Sequence, residues 1–126
     1  MIGIHIDAAW IGIAFGLLSG TAQGLGFHRD GWLGGYASWP RRMLRLGHIS
    51  FFGIAFLNLA YAQTLFLRSA DTASTPASWL LICGAIAMPT VCYLSAWQRS
   101  FRHLFFIPVV CLVFSAGTVV IQGVAQ

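Results

Sequence analysis

The chain has no lysine and no glutamate, and its 126 residues carry only seven arginines and three aspartates. Charged residues therefore make up 8% of the sequence, whereas soluble domains contain about 25%. Hydrophobic residues make up 58%, and the mean hydropathy is +0.78. This composition excludes an ordinary soluble domain and indicates an integral membrane protein.

Several kinds of chemistry have no residues to support them. The sequence has no phosphate-binding glycine loop, no serine–histidine–aspartate set and no cysteine spacing typical of a metal site. No aspartate lies deep in an apolar segment, although proton-coupled and cation-coupled transporters normally keep an ionisable group there. The basic residues lie where lipid headgroups are expected, which argues against nucleic-acid binding. These absences favour a non-enzymatic role, and we expect no metal site.

Four apolar segments are each close to the roughly 20 residues that a helix needs to cross a bilayer. They cover approximately residues 8–26, 43–67, 79–97 and 104–122. We therefore expect an all-α integral membrane fold in which residues 1–126 form one compact four-helix domain. An even number of spans places both termini on the same side. The Ser38-Trp39-Pro40 sequence predicts the start of the second helix, because serine is a good N-cap and proline suits the first turn.

The distribution of arginine predicts the orientation. Two loops carry six of the seven arginines, and Arg68 alone lies on the opposite side. The six are Arg29, Arg41, Arg42, Arg45, Arg99 and Arg102. Because cytoplasmic loops are enriched in basic residues, we expect these loops in the cytoplasm, both termini outside and a location in a bacterial inner membrane.

Glycine recurs at every fourth position of the first segment, at Gly12, Gly16, Gly20 and Gly24. Residues four apart lie on one face of a helix, and a stripe of small residues lets another backbone approach closely in the membrane. The pattern predicts a packing face. Its partner is a neighbouring helix of this chain, another subunit, a second copy of the chain, or a flat cofactor.

Two histidines suggest a cofactor site. His48 and His103 are expected at similar depth near the arginine-rich interface, and each follows an arginine, Arg45 or Arg102. Two imidazoles can ligate haem iron, while arginines can bind its propionates. We therefore consider haem b as a candidate cofactor. Interfacial histidines bonded to water, lipid or backbone, and a quinone pocket, are the alternatives.

The polar residue of most interest within a span is Asn58. An amide at mid-membrane depth needs an interhelical partner, and such bonds contribute about 1 kcal/mol. Asn58 therefore either holds two helices together or lines a narrow pore formed by several copies of the chain.

From these patterns we expect a small membrane subunit or accessory protein. It would pack through its glycine face within a larger assembly, of a redox or energy-transducing kind. The first alternative is a b-type haem protein that transfers electrons through His48 and His103. The second is a homo-oligomeric channel or small-solute transporter. The expected partners are the lipid bilayer and other membrane subunits or a second copy.

Overall fold

The computed structural model describes residues 1–68 and 75–124, and the side-chain surroundings of residues 1–68 and 76–122. Within these ranges the chain is helical and contains no strand. The four α-helices are α1 (Ile2–Phe27), α2 (Trp39–Leu67), α3 (Thr75–Trp97) and α4 (Phe106–Val124). Each belongs to a stretch long and apolar enough to cross a membrane. The prediction of an all-helical fold with four helices long and apolar enough to span a membrane is therefore confirmed for the described residues.

Helix α2 begins where its capping sequence predicts. The Ser38 hydroxyl accepts a hydrogen bond from the Arg41 backbone N–H at 3.4 Å, and Pro40 lies in the first turn. Serine satisfies one of the free N–H groups there, and proline has no N–H to leave unsatisfied. The helix consequently starts four residues before the predicted apolar segment.

Helix α4 begins two residues later than the apolar pattern suggests. A 3-10 helix, Arg99–Phe105, precedes it. Pro108 cannot donate a hydrogen bond to the carbonyl of Leu104, and its ring would clash with that carbonyl in a continuous α-helix. Regular α-helical bonding therefore starts at Phe106, and the residues before it take the tighter 3-10 form.

Consecutive helices are neighbours: α1 packs on α2, α2 on α3, and α3 on α4. Helices α1 and α3 make little direct contact, so α2 forms the centre of one face of the molecule. Toward the end opposite the six loop arginines, the core contains Tyr61 and Leu65 of α2 with Ala77 and Leu81 of α3. Helix α4 joins this region through Ser115, whose hydroxyl donates to a carbonyl of α3 at 2.8 Å.

The glycine stripe of α1 mainly faces α2. A Cβ atom added to Gly12 would lie 3.2 Å from Ala55 Cβ, and one added to Gly16 would lie 2.7 Å from the Phe52 ring. At Gly20 it would lie 2.6 Å from a carbon of the His48 ring. Three of the four glycines thus pack against a helix of the same chain. Only Gly24 has no neighbour within 4 Å.

Candidate functional site

A buried series of hydrogen bonds joins three helices toward the end of the molecule opposite the six loop arginines. His5 of α1 places its Nδ1 2.7 Å from Asn58 Oδ1 of α2 and its Nε2 2.5 Å from Ser78 Oγ of α3. The exposed fractions of His5 and Asn58 are 0%, and that of Ser78 is 2%. The edge of the His5 ring also meets Tyr61. His5 is therefore the interhelical partner that an amide at the depth of Asn58 requires.

The surrounding bonds determine the histidine tautomer. Asn58 donates through Nδ2 to the carbonyl of Ile54 at 2.9 Å, so its Oδ1 is the atom that faces His5. An amide oxygen only accepts, and His5 Nδ1 must therefore carry the proton. In the neutral ring Nε2 is then an acceptor, and Ser78 Oγ donates to it. The polar groups of His5, Asn58 and Ser78 are therefore all hydrogen-bonded, and none of these bonds involves a charged residue.

Serine, histidine and asparagine follow each other here in the order of a nucleophile, a base and an orienting group. A hydrolytic site also needs space for a substrate beside the serine. Ser78 is buried, and it does not line either of the two grooves described below. This set joins α1, α2 and α3, and we call it the His5 bridge.

A second polar bridge joins α1 and α3 near the arginines. Gln23 of α1 donates through Nε2 to the hydroxyl of Tyr93 of α3 at 3.1 Å. Gln23 is buried, and Tyr93 is half-buried. The Gln23 bridge and the His5 bridge are 18 residues apart along α1, which corresponds to about 27 Å. The two bridges thus tie α1 to α3 near opposite ends of the helices.

Between the two bridges, α1 and α3 enclose a groove of about 670 Å³. Helix α2 forms its floor through Ile54 and Ala55, and several wall residues are small: Ala8 and Gly12 of α1, and Ala85 of α3. The lining is almost entirely apolar. We call this feature the α1–α3 groove.

The α1–α3 groove continues toward the arginines into a second depression of about 540 Å³. The two share Phe15, Phe51 and Tyr93 as lining residues. On α1 the lining extends from Ile4 to Gln23, a rise of about 28 Å. That length matches the hydrocarbon thickness of a bilayer, about 30 Å. The groove is therefore long enough to extend along a whole membrane-spanning segment.

His48 is held in the contact between α1 and α2. Its Nδ1 lies 3.2 Å from the hydroxyl of Ser19, its ring packs over Gly20, and the ring edge meets Phe52 with centroids 5.3 Å apart. The ring fills the space that Gly20 leaves open. His48 thus contributes to helix packing whatever else it binds.

The other residues of the predicted haem site lie in different surroundings. His103 and Arg102 are exposed on the 3-10 helix that packs against α3 and α4. Arg45 stacks on Tyr36 at 4.2 Å and donates to its carbonyl at 3.3 Å. The described residues contain no cluster of three or more metal-binding side chains. Ligation of haem b by His48 and His103 stays a prediction.

A buried arginine organises the loop between α1 and α2. Arg41 is 4% exposed. Its Nη1 donates to the carbonyl of Asp30 at 3.2 Å and its Nη2 to the carbonyl of Arg29 at 3.4 Å. Its guanidinium lies 5.5 Å from the Phe27 ring and 5.4 Å from the Trp32 ring. A cation close to carbonyls that follow a helix C-terminus is favourable, so Arg41 holds this loop against α2.

The sequence analysis identified Asn58 but missed its partners. His5 resembles an interfacial residue near the chain start, and Ser78 is an ordinary small polar residue at the start of a helix. The position of His5 within an apolar helix was the signal that could have found this pair, because a histidine at such a position needs a polar partner. Gln23 and Tyr93 carried no spacing that could pair them.

Comparisons of the chain with protein-family models, with curated proteins and with solved structures found no match in any of the three.

Proposed function

We propose that this chain is a small subunit of a larger membrane assembly, and that it receives a transmembrane helix of a partner protein in the α1–α3 groove. The observation that carries this proposal is an apolar groove about as long as a bilayer is thick, with small residues in its walls and a polar bridge near each end. The function of such a subunit is to position and stabilise the partner helix.

Small residues favour a helix as the occupant. Apolar side chains gain little by leaving lipid for another apolar surface, so membrane helices associate where small residues let their backbones approach. Ala8 and Gly12 are four residues apart on one wall, Ala85 lies on the other, and Ala55 lies on the floor. A helix entering the groove would therefore meet small side chains on both walls.

The bridges keep the groove available before a partner arrives. Polar groups that are hydrogen-bonded inside a membrane are costly to separate, because lipid offers them no replacement partners. The His5 and Gln23 bridges hold α1 and α3 at a fixed distance near both ends of the groove. A preformed site loses less free energy on ordering when it binds.

One charged residue lies at the rim of the groove. Asp7 is exposed and lines the end near the His5 bridge. In the described part of the chain, its carboxylate makes no ion pair. A partner helix that carries an arginine, a lysine or its own N-terminal end at this depth would complement this charge.

Filling the groove tests the proposal. Ala85→Trp places a large ring in the groove, whereas Ala116→Trp places the same ring on the exposed surface of α4, outside both grooves. We expect the native-gel mass of the assembly purified in mild detergent to fall to that of the free chain for Ala85→Trp and to stay unchanged for Ala116→Trp. An unchanged mass for both variants would contradict the proposal.

A further inference from the structure

The arginine-rich end of the molecule has far more positive than negative charge. It holds the six arginines of the two predicted cytoplasmic loops, and Asp30 is the one carboxylate among the described residues there. Asp30 contributes its backbone carbonyl to Arg41, and its side chain makes no ion pair within the described residues. Six guanidinium groups thus share this end of the molecule with one carboxylate.

Three of these arginines surround the first turns of α2. Arg42 is exposed in the first turn, and Arg45, one turn further, stacks on Tyr36. Arg99 reaches over from the segment after α3, where its guanidinium lies 5.8 Å from the Trp39 ring. Guanidinium groups from two separate parts of the chain therefore lie near the start of α2.

The start of a helix is an unfavourable place for cations. Its free N–H groups carry a partial positive charge that attracts anions and repels guanidinium groups. The first turn of α2 contains no acidic residue. An external anion among these arginines would relieve the repulsion.

A buried donor in the same turn is also without an acceptor. Arg41 uses both terminal nitrogens in hydrogen bonds, but its Nε is buried and has no partner. An unsatisfied buried donor of a charged group is costly. The Arg41 guanidinium lies beside the Phe27 and Trp32 rings, so this buried nitrogen is separate from the exposed arginines and is not accessible to an external anion.

We propose that the start of α2, with Arg42, Arg45 and Arg99, binds the phosphate of an anionic phospholipid. Guanidinium groups bind phosphate oxygens in a bidentate fashion. Trp39 and Tyr36 are the residue types that lie at headgroup depth. A phosphate attached to a lipid is held at this depth by its acyl chains, and basic residues at helix ends attract such headgroups. This inference does not depend on the partner helix proposed above.

Lipid selectivity measures the site directly. The full chain is reconstituted in phosphatidylcholine vesicles that contain phosphatidylglycerol, and spin-labelled lipids report the fraction of each lipid immobilised by the protein. The test variant is Arg42→Gln/Arg45→Gln/Arg99→Gln, which leaves buried Arg41 intact so that the loop stays folded. Arg68→Gln is the matched control, because Arg68 is exposed at the opposite end.

We expect the wild-type chain to immobilise phosphatidylglycerol preferentially over phosphatidylcholine. Each arginine near the surface contributes roughly fivefold to the attraction, so the triple variant should lose most of the preference and Arg68→Gln should keep it. Equal immobilisation of the two lipids by the wild type, or an unchanged preference in the triple variant, would overturn the proposal.

Two further measurements separate the remaining explanations. Replacing the same three arginines by lysine keeps the charge and removes the bidentate geometry, so an intermediate preference is expected. Inorganic phosphate is then added at an ionic strength matched with chloride. A preference for phosphatidylglycerol that is retained in phosphate supports a lipid headgroup. A preference that is lost in phosphate but kept in chloride assigns the site to free phosphate and contradicts the lipid proposal.

Discussion

Replacing Asn58 by leucine should destabilise the fold without emptying the space that the side chain fills. The two side chains have similar size, so the loss comes from hydrogen bonding. In the variant, the proton on His5 Nδ1 points at a methyl group instead of Asn58 Oδ1, which lies 2.7 Å away in the wild-type chain. His5 has an exposed fraction of 0%, so water cannot replace the lost acceptor.

The expected loss follows from two bounds. A buried donor without an acceptor costs about 1–3 kcal/mol, while interhelical hydrogen bonds measured inside membranes average about 0.6 and reach about 1.7 kcal/mol. We therefore expect the Asn58→Leu variant to lose about 1–2 kcal/mol of unfolding free energy. Gln63→Leu is the matched control, since Gln63 is an exposed amide on the same helix and its removal should leave stability unchanged.

Equilibrium unfolding in mixed micelles measures this difference, and a double-mutant cycle with His5→Phe isolates the pair. We expect a coupling energy of about 1 kcal/mol between positions 5 and 58, and none between positions 5 and 63. The reasoning is refuted when Asn58→Leu unfolds at the same detergent composition as the wild type, or when the two substitutions are simply additive.

Two other substitutions test the packing of α1 and its following loop. Gly20→Ala places a methyl group 2.6 Å from the His48 ring and should lower stability by about 1–3 kcal/mol. In Gly24→Ala the added methyl group has no neighbour within 4 Å, so this variant should be neutral or stabilised by up to about 1 kcal/mol. Thermal unfolding measures both effects. Arg41→Gln should speed limited proteolysis of the loop between α1 and α2, because that loop loses its buried donors, whereas Arg42→Gln at the exposed neighbouring position should leave the cleavage rate unchanged.

The four helices could be predicted because they depend on hydropathy and on local capping. Apolar length located the four helices, and Ser38 with Pro40 located the start of α2. The delayed start of α4 depends on Pro108, whose effect on the carbonyl four residues earlier is also local. It could have been predicted from the same rules.

The site could not be predicted, because it depends on which helices become neighbours. The stripe of glycines correctly indicates close packing, yet nothing in its spacing distinguishes α2 from an outside partner. His5 and Ser78 are 73 residues apart in the sequence, so no local pattern predicts their contact. The α1–α3 groove exists because α2 lies between α1 and α3, which is a property of the assembled helices.

Position-specific photocrosslinking in native membranes tests the central claim most directly. A photoreactive side chain at Ile86 lies in the α1–α3 groove, and one at Val113 of α4 lies outside both grooves with similar exposure. We predict that Ile86 yields one discrete adduct whose cross-linked peptide belongs to a transmembrane helix of another protein, and that Val113 yields lipid adducts. Lipid adducts at both positions would contradict the account.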